Sequence, residues 1–270
     1  MPSFPPNSPD VMDFDVTARL QANRPAQYNA GEWRLRIQLA ACYRIFDYLG
    51  WTELIYNHIT VRVPGPERHY LINPFGLNYN EVTASNLIKI GLDGAPVETS
   101  PYHVNRAGFI IHSAIHGARD DAHCIMHVHT TAGMGVACKK EGLRYDDFYG
   151  AELLGDVAYH DFEGISVHAD EQPRLIKSFA DKHVLILRNH GLLVAGSDVP
   201  SAFRWMWTLQ RACEVQLAAD TLRGDNIPLS QPVREACARD ARAFEPRGKL
   251  EQMLFDSVLR RAEVRPESLL

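Results

Sequence analysis

No stretch of this 270-residue chain approaches the roughly 20 consecutive apolar residues that a membrane-spanning helix needs. The amino terminus lacks a charged region followed by an apolar one, so no secretory leader is expected. Polybasic runs are missing too, and the formal charge is −5, which leaves neither nucleic acid nor an anionic membrane as an expected partner. There is no C-x-x-C pair. The five cysteines (Cys42, Cys124, Cys138, Cys213, Cys237) are odd in number and scattered, and they read as buried thiols in a reducing cytoplasm. Internal repeats and low-complexity tracts are also absent. What remains is 46% hydrophobic, enough to bury a full core, and the expected organisation is one domain with flanking arms.

Residues 1–30 form the first expected arm: Pro2, Pro5, Pro6, Pro9 and Pro25 fall within a stretch with little periodicity. The domain is expected over 31–225 and a helical, charged tail over 226–270. Trp33, Ile37, Ala40, Ala41, Ile45, Tyr48 and Leu49 recur at helical spacing, with Arg34, Arg36, Arg44 and Asp47 off that stripe and Gly50 at the C-cap position. An amphipathic helix over 32–49 follows. His58 to Val63, a Pro64-Gly65-Pro66 turn and His69 to Ile72 read as an antiparallel hairpin. A short helical turn is expected at 81–86, a strand at 87–90, a helix at 105–118, a strand at 157–159 and a helix at 170–180. A long helix over 200–222 starts on a proline and stops before Gly224.

The chemistry gathers at Cys124-Ile125-Met126-His127-Val128-His129-Thr130-Thr131. In a strand alternate side chains share a face, so His127 and His129 point one way while Cys124, Met126 and Val128 point the other. After this strand a loop is expected. A second apolar run, Val184-Leu185-Ile186-Leu187, delivers His190 at its end, followed by Gly191 and a closing strand over 192–195. Three histidines on two strand ends make a facial set suited to Zn(II), Mn(II) or Fe(II), with coordination positions left open for substrate.

With their flanks, these segments resemble the class II aldolase/adducin family over roughly residues 33–220. The matching stretches are Tyr56-Asn57-His58-Ile59-Thr60-Val61-Arg62, Leu71-Ile72-Asn73-Pro74-Phe75-Gly76, Glu81 to Leu87, Asn105 to His116, His127-Val128-His129-Thr130 and Asn189-His190-Gly191. The resemblance implies a three-layer α/β/α domain with a central, mainly antiparallel sheet, assembled as a homotetramer with active sites at subunit interfaces. It also implies that His127, His129 and His190 bind one divalent metal ion per subunit. In the sugar-phosphate aldolases that ion acts as a Lewis acid on an enediolate.

Two departures redirect the expectation. The family's aldolases carry Ser-Ser-Glu ahead of the helix histidine corresponding to His112, and Arg106-Ala107-Gly108 stands there instead. Gly108 can neither ligate nor shuttle a proton, and the phosphate-binding serines are gone, although Asn57 and Gly76 survive from that corner. Arg106 suits a carboxylate, which a guanidinium grips in bidentate fashion. The expected substrate is therefore a small carboxylic acid, bound through Asn57, His58, Gly76 and Arg106. The expected reaction is a carbon–carbon lyase reaction, by decarboxylation or retro-aldol cleavage. Candidates for the acid are His58, Tyr145, Tyr149 and Tyr159, with His58 and Tyr145 foremost. A non-haem iron oxygenase of the same fold and a non-catalytic adducin-like scaffold are the alternatives.

The remaining histidines read as structural. His112 and His116 sit one helical turn apart with no H-E-x-x-H pattern, and His123 lies about 13 Å along the strand from His127. His160 is a weak candidate beside Asp161 and Glu163. Phe203, Trp205 and Trp207 are expected in the core or in a subunit contact.

Overall fold

Apolar residues every third or fourth position between Trp33 and Phe46 close helix α2, Ala30–Leu49, over a central sheet. Asn29 caps its start through a bond accepted from the Glu32 amide, and Gly50 ends it in the left-handed region. The computed structural model describes residues 18–165, 169–244 and 250–270, with backbone alone for residues 18, 19, 106 and 107.

Seven strands form one sheet: β1 (His58–Arg62), β2 (Tyr70–Ile72), β3 (Ile88–Ile90), β4 (Cys124–Val128), β5 (Val157–His160), β6 (Val184–Leu187) and β7 (Gly191–Gly196). Their order is β3-β2-β1-β4-β7-β6-β5, and every pairing is antiparallel except β5 with β6. The expected β1–β2 hairpin is present, with Thr60 opposite Ile72.

Alternation along the strands splits the core into two layers. Cys124, Met126, Val128, Ile186, Leu192 and Val194 face α2, α7 (Val199–Thr221) and α9 (Leu250–Arg261), where Phe46, Trp51, Phe203 and Phe255 pack together. Ile125, Leu185, Leu187, Leu193 and Ala195 face α3 (Arg106–Ala118) and α6 (Gln172–Phe179). The three-layer α/β/α arrangement is thus the fold.

Four local expectations change. The segment after β4 is a helix, α4 (Thr131–Ala137), because Thr130 caps it by accepting from the Gly133 amide. The turn expected at 81–86 is a 3₁₀ turn at Tyr79–Glu81. Residues 1–17 of the expected arm lie outside the described residues, but a short helix α1, Ala18–Ala22, follows. Leu20 is buried in the core there, and its carbonyl accepts from the Trp33 indole at 3.0 Å. Arg36, assigned to the polar face of α2, is fully buried. It donates to Glu32, Glu98 and the Ala84 and Leu87 carbonyls, which ties α2 to the β3 edge.

The tail is helical, as α8 (Gln231–Ala243) and α9, and it returns to the domain: Phe255, Leu259 and Leu269 are buried, and the Leu269 carbonyl accepts from the Ala84 amide. Short helix α5, Phe148–Glu152, has no apolar periodicity to announce it and is capped by Asp147. Among the described residues no helix is long and apolar enough to cross a membrane.

Candidate metal centre

Strands β4 and β7 run antiparallel as neighbours, so the end of one lies beside the start of the other. Val128 pairs with Leu192, which places His129, one residue past β4, next to His190, one residue before β7. A three-residue turn, Arg188 to His190, joins β6 to β7. Asn189 takes its left-handed position at φ 56°, a conformation asparagine tolerates better than most residues. Gly191 lets the strands approach: a Cβ there would lie 2.5 Å from the Val128 carbonyl and 3.1–3.2 Å from the His129 and His127 rings.

The ligand nitrogens of His127, His129 and His190 all lie within 4.8 Å of one another. Nε2 of His127 and Nε2 of His129 are 2.9 Å apart, a separation that two lone pairs adopt only around a shared proton or cation. Nδ1–H of His127 donates to the Leu192 carbonyl at 2.8 Å, leaving Nε2 as the ligand atom. Burial lowers the pKa of all three rings, that of His190 to about 4 and that of His127 well below the usual imidazole range, so near neutral pH they are uncharged donors. Neutral converging imidazoles, that of His127 with its tautomer fixed, fit a divalent cation. The edge of the Phe162 ring approaches His190, with centroids 6.2 Å apart.

The other predicted residues divide. His58 pairs with His127 across β1 and β4, and its ring lies 5.3 Å from that of His127 and 4.4 Å from that of His112. Asn57, beside it, donates through Nδ2 to the Trp51 carbonyl at 3.0 Å, while its Oδ1 is buried without a partner. Gly76 turns the chain at φ 102° after β2. Arg106 opens α3, and its side chain lies outside the described residues. Tyr145 packs with the α2/α7 core layer, on the other side of the sheet from His127. Burial and the neighbouring Tyr159 raise its phenol to about 12. The Tyr159 hydroxyl accepts from the Leu143 amide, and Tyr149 also packs on that layer. Within one chain the tyrosines are therefore separated from the trio.

Gly108 and His58 prove to be one feature. A Cβ on Gly108 would lie 2.7 Å from the His58 ring, so the imidazole occupies the space into which a longer side chain at 108 would project. Sequence reading flagged both positions but could not join them across 50 residues. Thr60, which links His112 to His116 at 2.7 and 2.8 Å, was missed altogether. Its only signal was the alternation that puts Thr60 on the same strand face as His58. His123 is exposed, and His160 is held by Ser178 and Glu171, away from the trio.

Residues 37–217 match the model of the class II aldolase and adducin N-terminal domain. A Pseudomonas aeruginosa protein named for the class 2 aldolases is 41% identical over 247 residues, covering 90% of this chain and 95% of its own. Mouse alpha-adducin is 47% identical over 218 residues, 79% of this chain but only 30% of its own length. A crystal structure of an aldolase II superfamily protein from Pseudomonas syringae superposes with a TM-score of 0.82 at 38% identity, over 88% of this chain and 95% of that one. The L-fuculose 1-phosphate aldolase of Glaciozyma antarctica superposes with a TM-score of 0.77 at 30% identity, over 91% and 96%.

Proposed function

The chain belongs to the class II aldolase and adducin N-terminal domain family, and from that membership and the site's geometry we propose a metal-dependent carbon–carbon lyase acting on a small hydroxy- or oxo-acid. The observation that carries this reading is the convergence of three neutral imidazoles within 4.8 Å at the sheet end. A divalent ion of Zn, Mn or Fe, when bound, supplies Lewis-acid stabilisation of the negative charge that develops as a carbon–carbon bond breaks. His127 is oriented by the Leu192 carbonyl, and burial keeps the trio unprotonated and able to ligate.

Gly108 removes the aldolase glutamate, and His58 fills its space, which favours an acid decarboxylated or cleaved without that proton relay. Arg106, at the start of α3, is the residue we assign to the substrate carboxylate. Phe162 beside His190 is 52% exposed in the single chain, which supports a tetramer whose neighbouring subunit completes the site. A second reading, a non-catalytic scaffold, is favoured by the 47% identity to alpha-adducin.

Metal analysis of the purified chain, followed by screening hydroxy-aromatic, hydroxy and oxo acids for carbon dioxide or aldehyde release under argon, tests the choice. About one ion per chain and anaerobic turnover are the expected result. No metal after reconstitution would leave the scaffold, and dioxygen uptake matching substrate loss would make the protein an iron oxygenase.

A further inference from the structure

Behind the metal trio lies a second group of histidines whose protons can be placed one by one. His116 Nδ1–H donates to the Ala122 carbonyl at 3.0 Å, so in the neutral ring Nε2 is an acceptor. The Thr60 hydroxyl donates to that Nε2 at 2.8 Å and must accept from His112 Nδ1–H at 2.7 Å. His112 is left with a bare Nε2. His58 reaches the same state independently, because its Nδ1–H donates to the Tyr56 carbonyl at 3.3 Å. Burial favours the neutral form of all three rings, bringing His58 and His116 down to about 3. The Nε2 atoms of His58 and His112 are both buried and unpartnered, in rings 4.4 Å apart. Neither can satisfy the other, since each carries its proton on the opposite nitrogen.

The two Nε2 atoms therefore offer lone pairs and no hydrogens of their own. Phosphate and carboxylate oxygens are acceptors too and have nothing to bind there, whereas a hydroxyl does. Leaving such atoms unpaired costs free energy, so whatever brings hydrogens is selected over an analogue that brings none.

We propose that His58 and His112 form an acceptor pair beside the metal trio that takes the hydroxyl hydrogens of the substrate. The pair thereby makes the site specific for hydroxylated acids over their deoxy counterparts. The proposal rests on the reading of the site as one for a small acid, and it names the part of that acid the pair selects. Gly108 belongs to the same device, because only a residue without Cβ admits the His58 ring.

Titration calorimetry of the zinc-loaded chain with glycerate and with propionate tests it. The native chain should bind glycerate at least about tenfold more tightly, and His58→Leu should erase that preference while still holding one zinc. Equal binding of the two acids by the native chain, as when a bridging water alone serves the pair, overturns the proposal. So does a preference undiminished in a zinc-holding His58→Leu chain. Nitrogen-15 spectra of histidine-labelled native chain give a measure independent of any variant. Both Nε2 resonances should be those of unprotonated nitrogen and should move with glycerate but not propionate, and a proton on either Nε2 overturns the proposal. The lyase reading fails separately: a glycerate preference with no acid cleaved sinks the lyase and leaves the acceptor pair standing.

Discussion

Two sets of three histidines meet where the His58 and His127 rings lie 5.3 Å apart; the inner set is buried throughout, whereas His129 and His190 of the outer set are only half-buried. His127, His129 and His190 stand at the sheet end; His58, His112 and His116 lie between the sheet and α3. In both sets desolvation lowers the imidazole pKa. The first set differs in where its free nitrogens go: they converge within 4.8 Å, with His127 braced from behind by the Leu192 carbonyl. In the second set they are spent on Thr60 and backbone carbonyls or left as unpartnered acceptors. Convergence of lone pairs, more than a perturbed pKa, marks a cation site.

His127→Ala separates the two sets most sharply. It should take metal content from about one ion per chain to none, by elemental analysis, while circular dichroism stays native. A chain that still holds one ion after this change would merge the sets. Gly108→Ala comes next: its new Cβ, 2.7 Å from the His58 ring, should destabilise the chain by about 1–3 kcal/mol in denaturant titration. His58→Ala in the same chain should recover much of that loss, as expected of two positions in direct contact. Thr60→Val should have the smallest functional effect. It leaves His112 Nδ1 and His116 Nε2 unpaired, costing about 1–3 kcal/mol of stability, yet metal uptake should be unchanged. Loss of metal in that variant would make the inner set part of the centre.

Local pattern carried a good share of this. The stripe from Trp33 to Leu49 with Gly50 after it, the hairpin around Pro64 to Pro66, and the helix after Asp198 all stand where spacing and caps put them. His127 and His129 on one face follow from the two-residue period of a strand. Thr130 predicts a loop as readily as a helix start, because a cap and a loop residue look alike until the following backbone is helical. Arg36 looked like a solvent residue, since its partners Glu98, Ala84 and Leu87 come from the β3 region, 48 to 62 positions away. The tail gave no motif, yet Phe255 and Leu269 complete the core against α2 and α7.

The sequence by itself determined the strands, the long helices and the residue types able to hold a cation, because periodicity and capping are decided within one or two turns of chain; the short helices α1, α4 and α5 were beyond it. Only the tertiary structure decided that β7 lies between β4 and β6 and so brings His190 to His129. It likewise decided that His58 lies on Gly108 and that Thr60 joins two histidines of α3. Those contacts depend on strand order and on space between layers, which no local pattern encodes.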